Sequence, residues 1–173
     1  MDGLHAALLN NMKHGKEYGC DGRIKHLQAV VDASFDVPLI ASTVMRRHWS
    51  ELSEAQHTQL VAAFREITVV TYASQFNSFG GETFTTNDTQ PYGSSGDQMV
   101  HARLQPGSGD SVALDYILHP KDGNYRIINV IADGVSDLAL RSTQYNQLYE
   151  KKGFDGLLSW LQDQSKKMQA NCG

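Results

Sequence analysis

Seven histidines are the side chains of this 173-residue sequence best suited to metal or acid–base chemistry: His5, His14, His26, His48, His57, His101 and His119. None joins an HExxH, an HxH or a Cys/His cluster, so surface or structural roles are expected for them. No GxSxG, P-loop or GxGxxG occurs, and Gly93-Ser94-Ser95-Gly96 reads as a flexible loop rather than a phosphate cradle. Cys20 and Cys172 lie near opposite ends in polar stretches, with no CxxC and no histidine at zinc spacing, so neither metal nor cofactor is expected. Asp115, Tyr116 and Asp133 are the remaining candidates, because a carboxylate and a phenol in an apolar pocket could act as a ketosteroid-isomerase-like pair. Asp115, however, alternates away from Val112, Leu114, Tyr116 and Leu118, and Asp133 is accounted for by a turn before Gly134. Ser136 is a helix cap rather than a nucleophile, since no histidine stands at a predictable spacing from it. The expectation is a protein that performs no chemistry. A small isomerase or dehydratase is the alternative, and an adaptor binding only proteins is a third.

The elements that position these residues are most legible over residues 124–161. Residues 125–132 are dominated by Ile, Val and Tyr, which suit a pleated and buried strand. Asp133-Gly134 makes a turn, Ser136 or Asp137 caps a helix, and Gly153 ends it just after Lys151 and Lys152. Upstream, the pattern predicts a helix over 4–18 ending near Gly19. A second covers 23–35, with Ile24, Leu27, Val30, Val31 and Phe35 on one face. Asp36 caps a third over 37–48, with Pro38 in its first turn. Ser53-Glu54-Ala55-Gln56 has the form of a capping box and opens a long helix to about Phe79. Its first half carries Leu60, Phe64 and Ile67 on one stripe. Its second half carries Val69, Tyr72, Ala73, Phe76 and Phe79 on roughly the opposite one. One helix is thus expected to be buried first against helices and then against a sheet.

After Gly80-Gly81 the period becomes two. Strands are expected over 82–89, 98–104, 111–119 and 125–132, linked by turns at 106–109 and 121–124. Four antiparallel strands with helices on one side make an α+β architecture. Length fits a single domain over 1–173, its helical parts 1–80 and 136–170 packed on sheet 82–133. The 40% hydrophobic and 20% charged composition is that of an ordinary globular chain. A net charge of −4, with basic residues scattered, gives no footprint for nucleic acid. No apolar run approaches the roughly 20 residues of a transmembrane helix, so a soluble chain is expected. Met1-Asp2 begins on a polar segment without an export signal, which fits either a cytoplasmic protein or a mature N-terminus.

Tyr125-Arg126-Ile127-Ile128-Asn129-Val130, then Gly134-Val135-Ser136, Arg141, Gln144-Tyr145 and Gly153-Phe154 with Leu157, Leu158 and Leu161, resemble the MlaC-like family of lipid-binding proteins. Phe35-Asp36, Trp49, Phe64, Tyr72 and the strand Val112-Ala113-Leu114-Asp115-Tyr116 are similar as well, so the likeness spans about residues 23–161. Asp133 replaces the usual Glu, and Leu140-Arg141 replaces a Tyr-Arg pair. The segment from Ala132 to Leu140 resembles the HpnM branch, associated with hopanoids. The resemblance implies a nuclear-transport-factor-like curved sheet, a helical subdomain and an apolar cavity between them. It further implies a periplasmic carrier of hopanoid or phospholipid that exchanges cargo with transport complexes of the inner and outer membrane.

One alternating strand face and the second stripe of the long helix must meet around such a cavity. Leu114, Tyr116, Leu118, Val100, Ala102, Val130, Tyr72 and Phe76 are expected to line it, together with Val44, Trp49 and Leu138. In the oxidising compartment that the resemblance implies, Cys20 and Cys172 admit two readings of equal standing. One is a disulfide between the two ends of the chain; the other is a pair of exposed thiols on frayed termini.

Overall fold

Two Asp-Gly pairs set the geometry of the sheet in the computed structural model, which describes residues 1–172. At Asp122-Gly123 the φ angles are 50° and 76°, and at Asp133-Gly134 they are 47° and 81°. Positive φ at both central residues is the hairpin turn whose twist matches that of right-handed strands. The first joins β3 (Val112–Lys121) to β4 (Asn124–Ala132), and the second joins β4 to β5 (Val135–Ser136). With β1 (Thr83–Tyr92) and β2 (Asp97–Gln105) the sheet runs β1-β2-β3-β4-β5, antiparallel throughout. It therefore has five strands and not the expected four. A two-residue edge strand is too short to show alternation, and Asp133-Gly134 closes a hairpin before the helix begins. Bulges place an extra residue, Asn87, in β1 against β2 and another, Ile128, in β4 against Ile117 and Leu118 of β3, and these bend β1 and β4.

Helices α1 (Asp2–Lys13), α2 (Gly15–Ser34), α3 (Val37–Met45), a 3₁₀ turn (Arg46–Glu51) and α4 (Glu54–Gln75) precede the sheet, and α5 (Asp137–Ala170) comes after it. The first helix stops at Lys13 rather than running to residue 18, because its buried stripe of Leu4, Leu8 and Met12 ends there. Helix α2 begins before Gly19 and bends at it. Helix α4 stops at Gln75, short of Phe79, with Phe76 as its C-cap. Asp36 accepts from the Leu39 N–H, Ser53 forms a full capping box with Gln56, and Ser136 accepts from the Ala139 N–H. These satisfy amides that each first turn leaves without a partner.

Gly153, at φ 67°, turns α5 back on itself. Tyr145 before the bend then meets Trp160 after it, ring centroids 5.7 Å apart, and packs edge-on against Phe64 of α4 at 5.3 Å. Leu60 and Phe64 are thus buried among helices, while Tyr72 and Phe76 on the other stripe of α4 look to the sheet. Phe35 and Asp36 dock the helical layer: the Asp36 N–H donates to the Ile127 carbonyl of β4, and the Asp36 carboxylate pairs with Lys121 of β3 at 2.9 Å.

The chain ends are tied together. Cys20 and Cys172 form a disulfide with a Cα–Cα distance of 5.5 Å. Cys172 is buried rather than in polar surroundings, because Arg23 draws the last turn inward. Only 2% exposed, Arg23 donates from Nε to the Ala73 carbonyl (3.0 Å), from Nη1 to Gly15 (2.6 Å) and from Nη2 to Cys172. Ala73 and Cys172 lie at or just beyond helix C-termini, where carbonyls lack partners and a cation is favoured.

Candidate functional site

The inner face of the sheet is built by cross-strand pairs. Val100 of β2 lies opposite Tyr116 of β3, and Tyr116 lies opposite Val130 of β4. Ala102 and Ala132 flank Leu114 in the same way. Above this face the second stripe of α4 brings Tyr72 and Phe76, stacked with centroids 5.7 Å apart. The start of α5 adds Asp137, Leu140 and Arg141. These elements bound a cleft of about 270 Å³, with Tyr72, Phe76, Leu114, Tyr116 and Val130 in its wall.

A second cleft, of about 460 Å³, opens at the other end of the same face. Leu4 of α1 and Val30 of α2 line it opposite Leu118, Tyr125 and Ile127 of β3 and β4. Ligand pockets commonly measure about 300–1,000 Å³, so the larger cleft is of that size and the smaller just below it. Of the remaining expected residues, only Leu118 lines the larger cleft. Val100 and Leu118 share a groove with Met1 and Tyr125 at the open end of the larger cleft. Leu138 borders a small crevice with Tyr72 and Val130. Ala102 is packed in the core. Val44 is too, and its carbonyl accepts from Ser142 and Asn146. Trp49 stacks on His57 at 4.0 Å, on the far side of α3 beside Pro38 and Lys121.

Between the two clefts stands His5. It is 5% exposed, stacked on Phe84 at 4.4 Å, with Nε2 3.1 Å from the Tyr116 hydroxyl. Burial pushes the imidazole down to about 4, so it is neutral at ordinary pH, and burial pushes the Tyr116 and Tyr72 phenols up. No signal in the sequence brings His5 to Tyr116, 111 residues away. The carboxylates weighed as catalytic partners of Tyr116 do not join it. Asp115 points to the other face, where His101 Nδ1 lies 2.6 Å from its Oδ1, and Asp133 accepts from the Ala113 N–H at 2.9 Å. A weakly basic imidazole sealed against a phenylalanine ring fills space and satisfies one hydroxyl.

The cation in the smaller cleft is Arg141. Burial opposes its charge, but Asp137, with Oδ2 2.8 Å from Nε, holds the guanidinium above its ordinary value. Among the described residues no group of three or more histidine, cysteine or acidic side chains could hold a metal ion. Among the described residues no helix is long and apolar enough to cross a membrane.

An open antiparallel sheet with helices on one face, and apolar clefts where the two layers part, defines an α+β binding fold. The family model described as MlaC protein matches residues 3–163, and the chain belongs to that family. The fold is also that of a solved protein from Ralstonia solanacearum, described as a phospholipid-binding protein in complex with a phospholipid. The two superpose with a TM-score of 0.82 at 17% identity, covering 96% of this chain and 93% of the other.

Proposed function

We propose that this chain is a periplasmic lipid carrier: one binding domain that takes acyl chains between its helical layer and a nuclear-transport-factor-like sheet, and performs no chemistry. The observation that carries the reading is the smaller cleft, where the Tyr72–Phe76 stripe of α4 faces Leu114, Tyr116 and Val130 without closing on them. Membership of the MlaC family and the phospholipid of the Ralstonia neighbour support it. The disulfide suits an oxidising compartment. Removing a CH₂ from water gains about 0.8 kcal/mol, so a 16-carbon tail gains on the order of 13 kcal/mol. A membrane interior offers the tail much the same environment. Net transfer is therefore nearly balanced, as a reversible shuttle between inner- and outer-membrane transport complexes requires.

The likeness of residues 132–140 to the hopanoid-associated branch favours a second cargo, a pentacyclic hopanoid. Organic extraction of protein recovered from the periplasm, followed by mass spectrometry, tests both. A glycerophospholipid near one per protein is expected, and a hopanoid in its place selects the second cargo. Protein with no lipid, or one that turns over a steroid-like ketone, overturns the carrier reading.

A further inference from the structure

We propose that the outer face of the sheet, turned away from the helices and both clefts, docks a second copy of this chain. Strands β2 and β3 carry the same pattern there. Asp97, Met99 and His101 on β2 are matched in type and spacing by Asp115, Ile117 and His119 on β3. Tyr116 and Leu118 line the clefts, so the residues alternating with them point outward. The strands are antiparallel and Met99 lies opposite Ile117, so a local two-fold axis through that pair exchanges one pattern with the other.

Side chains on neighbouring strands are joined at both ends of the pattern. His101 Nδ1 lies 2.6 Å from Asp115 Oδ1, and His119 Nδ1 lies 2.7 Å from Asp97 Oδ1. The side chains of His101, Asp115 and His119 are 30%, 31% and 33% exposed, so they are open to a partner. Met99 is half-buried between the two pairs. Around this centre the four corners alternate acid and base.

That alternation is self-complementary. A second copy turned over about an axis parallel to the strands, midway between β2 and β3, sets Asp97 against His119 of the second copy. It sets His101 against Asp115 and Met99 against Ile117 in the same way. The operation also brings Tyr92, opposite Asp97 on β1, over Arg126, opposite His119 on β4. Tyr92 is 44% exposed and gains a guanidinium on which to stack. Every contact recurs by symmetry, as an isologous interface requires. A surface of one sign, such as an anionic bilayer, would match only half of the pattern.

Four strands about 4.8 Å apart and about 30 Å long present roughly 600 Å² per copy. A total of about 1,200 Å² stands at the lower limit of specific interfaces, so the association is weak and reversible. Both clefts open on the opposite face, so the carrier reading stands or falls without this interface.

Sedimentation equilibrium of the wild-type protein is the test. The weight-average mass is expected to climb from monomer toward dimer between about 10 μM and 1 mM. The dissociation constant is expected to rise about tenfold in about 0.5 M salt, which screens the contacts between His and Asp. Tyr92→Ser, at an exposed position, should weaken association severalfold, and Met99→Lys should abolish it. A wild type that stays monomeric throughout this range overturns the proposal, whether or not it binds vesicles of dioleoyl phosphatidylglycerol. Association that ignores salt, or that is undiminished in both variants, overturns it as well.

Discussion

The Tyr116 hydroxyl and His5 Nε2 lie 3.1 Å apart at the centre of the sheet's inner face, joining the first helix to the third strand. On either side of them the two clefts open. Tyr116→Phe removes one partner and leaves a buried imidazole nitrogen unsatisfied, so a loss of about 1–3 kcal/mol is expected in urea unfolding. A loss below a few tenths would show that the contact is incidental.

The same pair carries a pH dependence. The folded imidazole titrates at about 4, below its ordinary 6.5, so between these values the unfolded chain binds a proton that the folded chain does not. The contribution of neutral His5 is therefore complete above about pH 6.5 and is lost as pH falls toward about 4. Unfolding free energies measured across that window should slope less steeply in His5→Phe than in the wild type. Parallel slopes would contradict the assignment.

The disulfide closes the chain between Cys20 and Cys172, a separation of 152 residues. A loop of that length is worth roughly 5 kcal/mol in the chain-entropy model. Reduction is expected to lower the thermal midpoint markedly and to loosen the last turn, where Arg23 holds the Cys172 carbonyl. Thiol titration of unfolded, unreduced protein from the periplasm should find no free thiol. Two free thiols would rule the bridge out.

Ser136 is a cap supported by a second residue. Its Oγ accepts from the Ala139 N–H at 3.1 Å and lies 3.0 Å from Asn129 Nδ2, while Asn129 Oδ1 accepts from the Leu138 N–H. Ser136→Ala should cost about 1 kcal/mol. Loss of a measurable hydrolase activity at unchanged stability would instead make Ser136 a nucleophile.

What could be read from the sequence was local. Ser53 with Gln56, Asp36, Ser136 and Gly153 announce helix ends because capping depends on residues three or four apart. The switch of apolar stripe along α4 announced a helix serving two layers: Phe64 packs on Tyr145 of α5, while Tyr72 and Phe76 line the cleft with Leu114, Tyr116 and Val130 of the sheet. What could not be read was long-range. Nothing in the residues around Arg23 marks it as a buried clamp on Ala73 and Cys172. Nothing around His5 points to Tyr116. The clefts were illegible for a different reason: Leu114 and Ala102 alternate identically, yet one lines a cleft and the other is packed solid. Apolar periodicity says which face is buried and not whether the opposite layer closes on it.

Lipid occupancy in Leu114→Trp tests the central claim most directly. An indole at Leu114 projects into the smaller cleft, between Val130 and the Tyr72–Phe76 stack. The variant and the wild type are purified from the periplasm in parallel and checked for equal helicity by circular dichroism. Their extractable lipid per protein is then counted by mass spectrometry. Near-stoichiometric lipid in the wild type and a severalfold drop in the folded variant are predicted. Equal occupancy in the two would contradict a cargo held between α4 and the sheet.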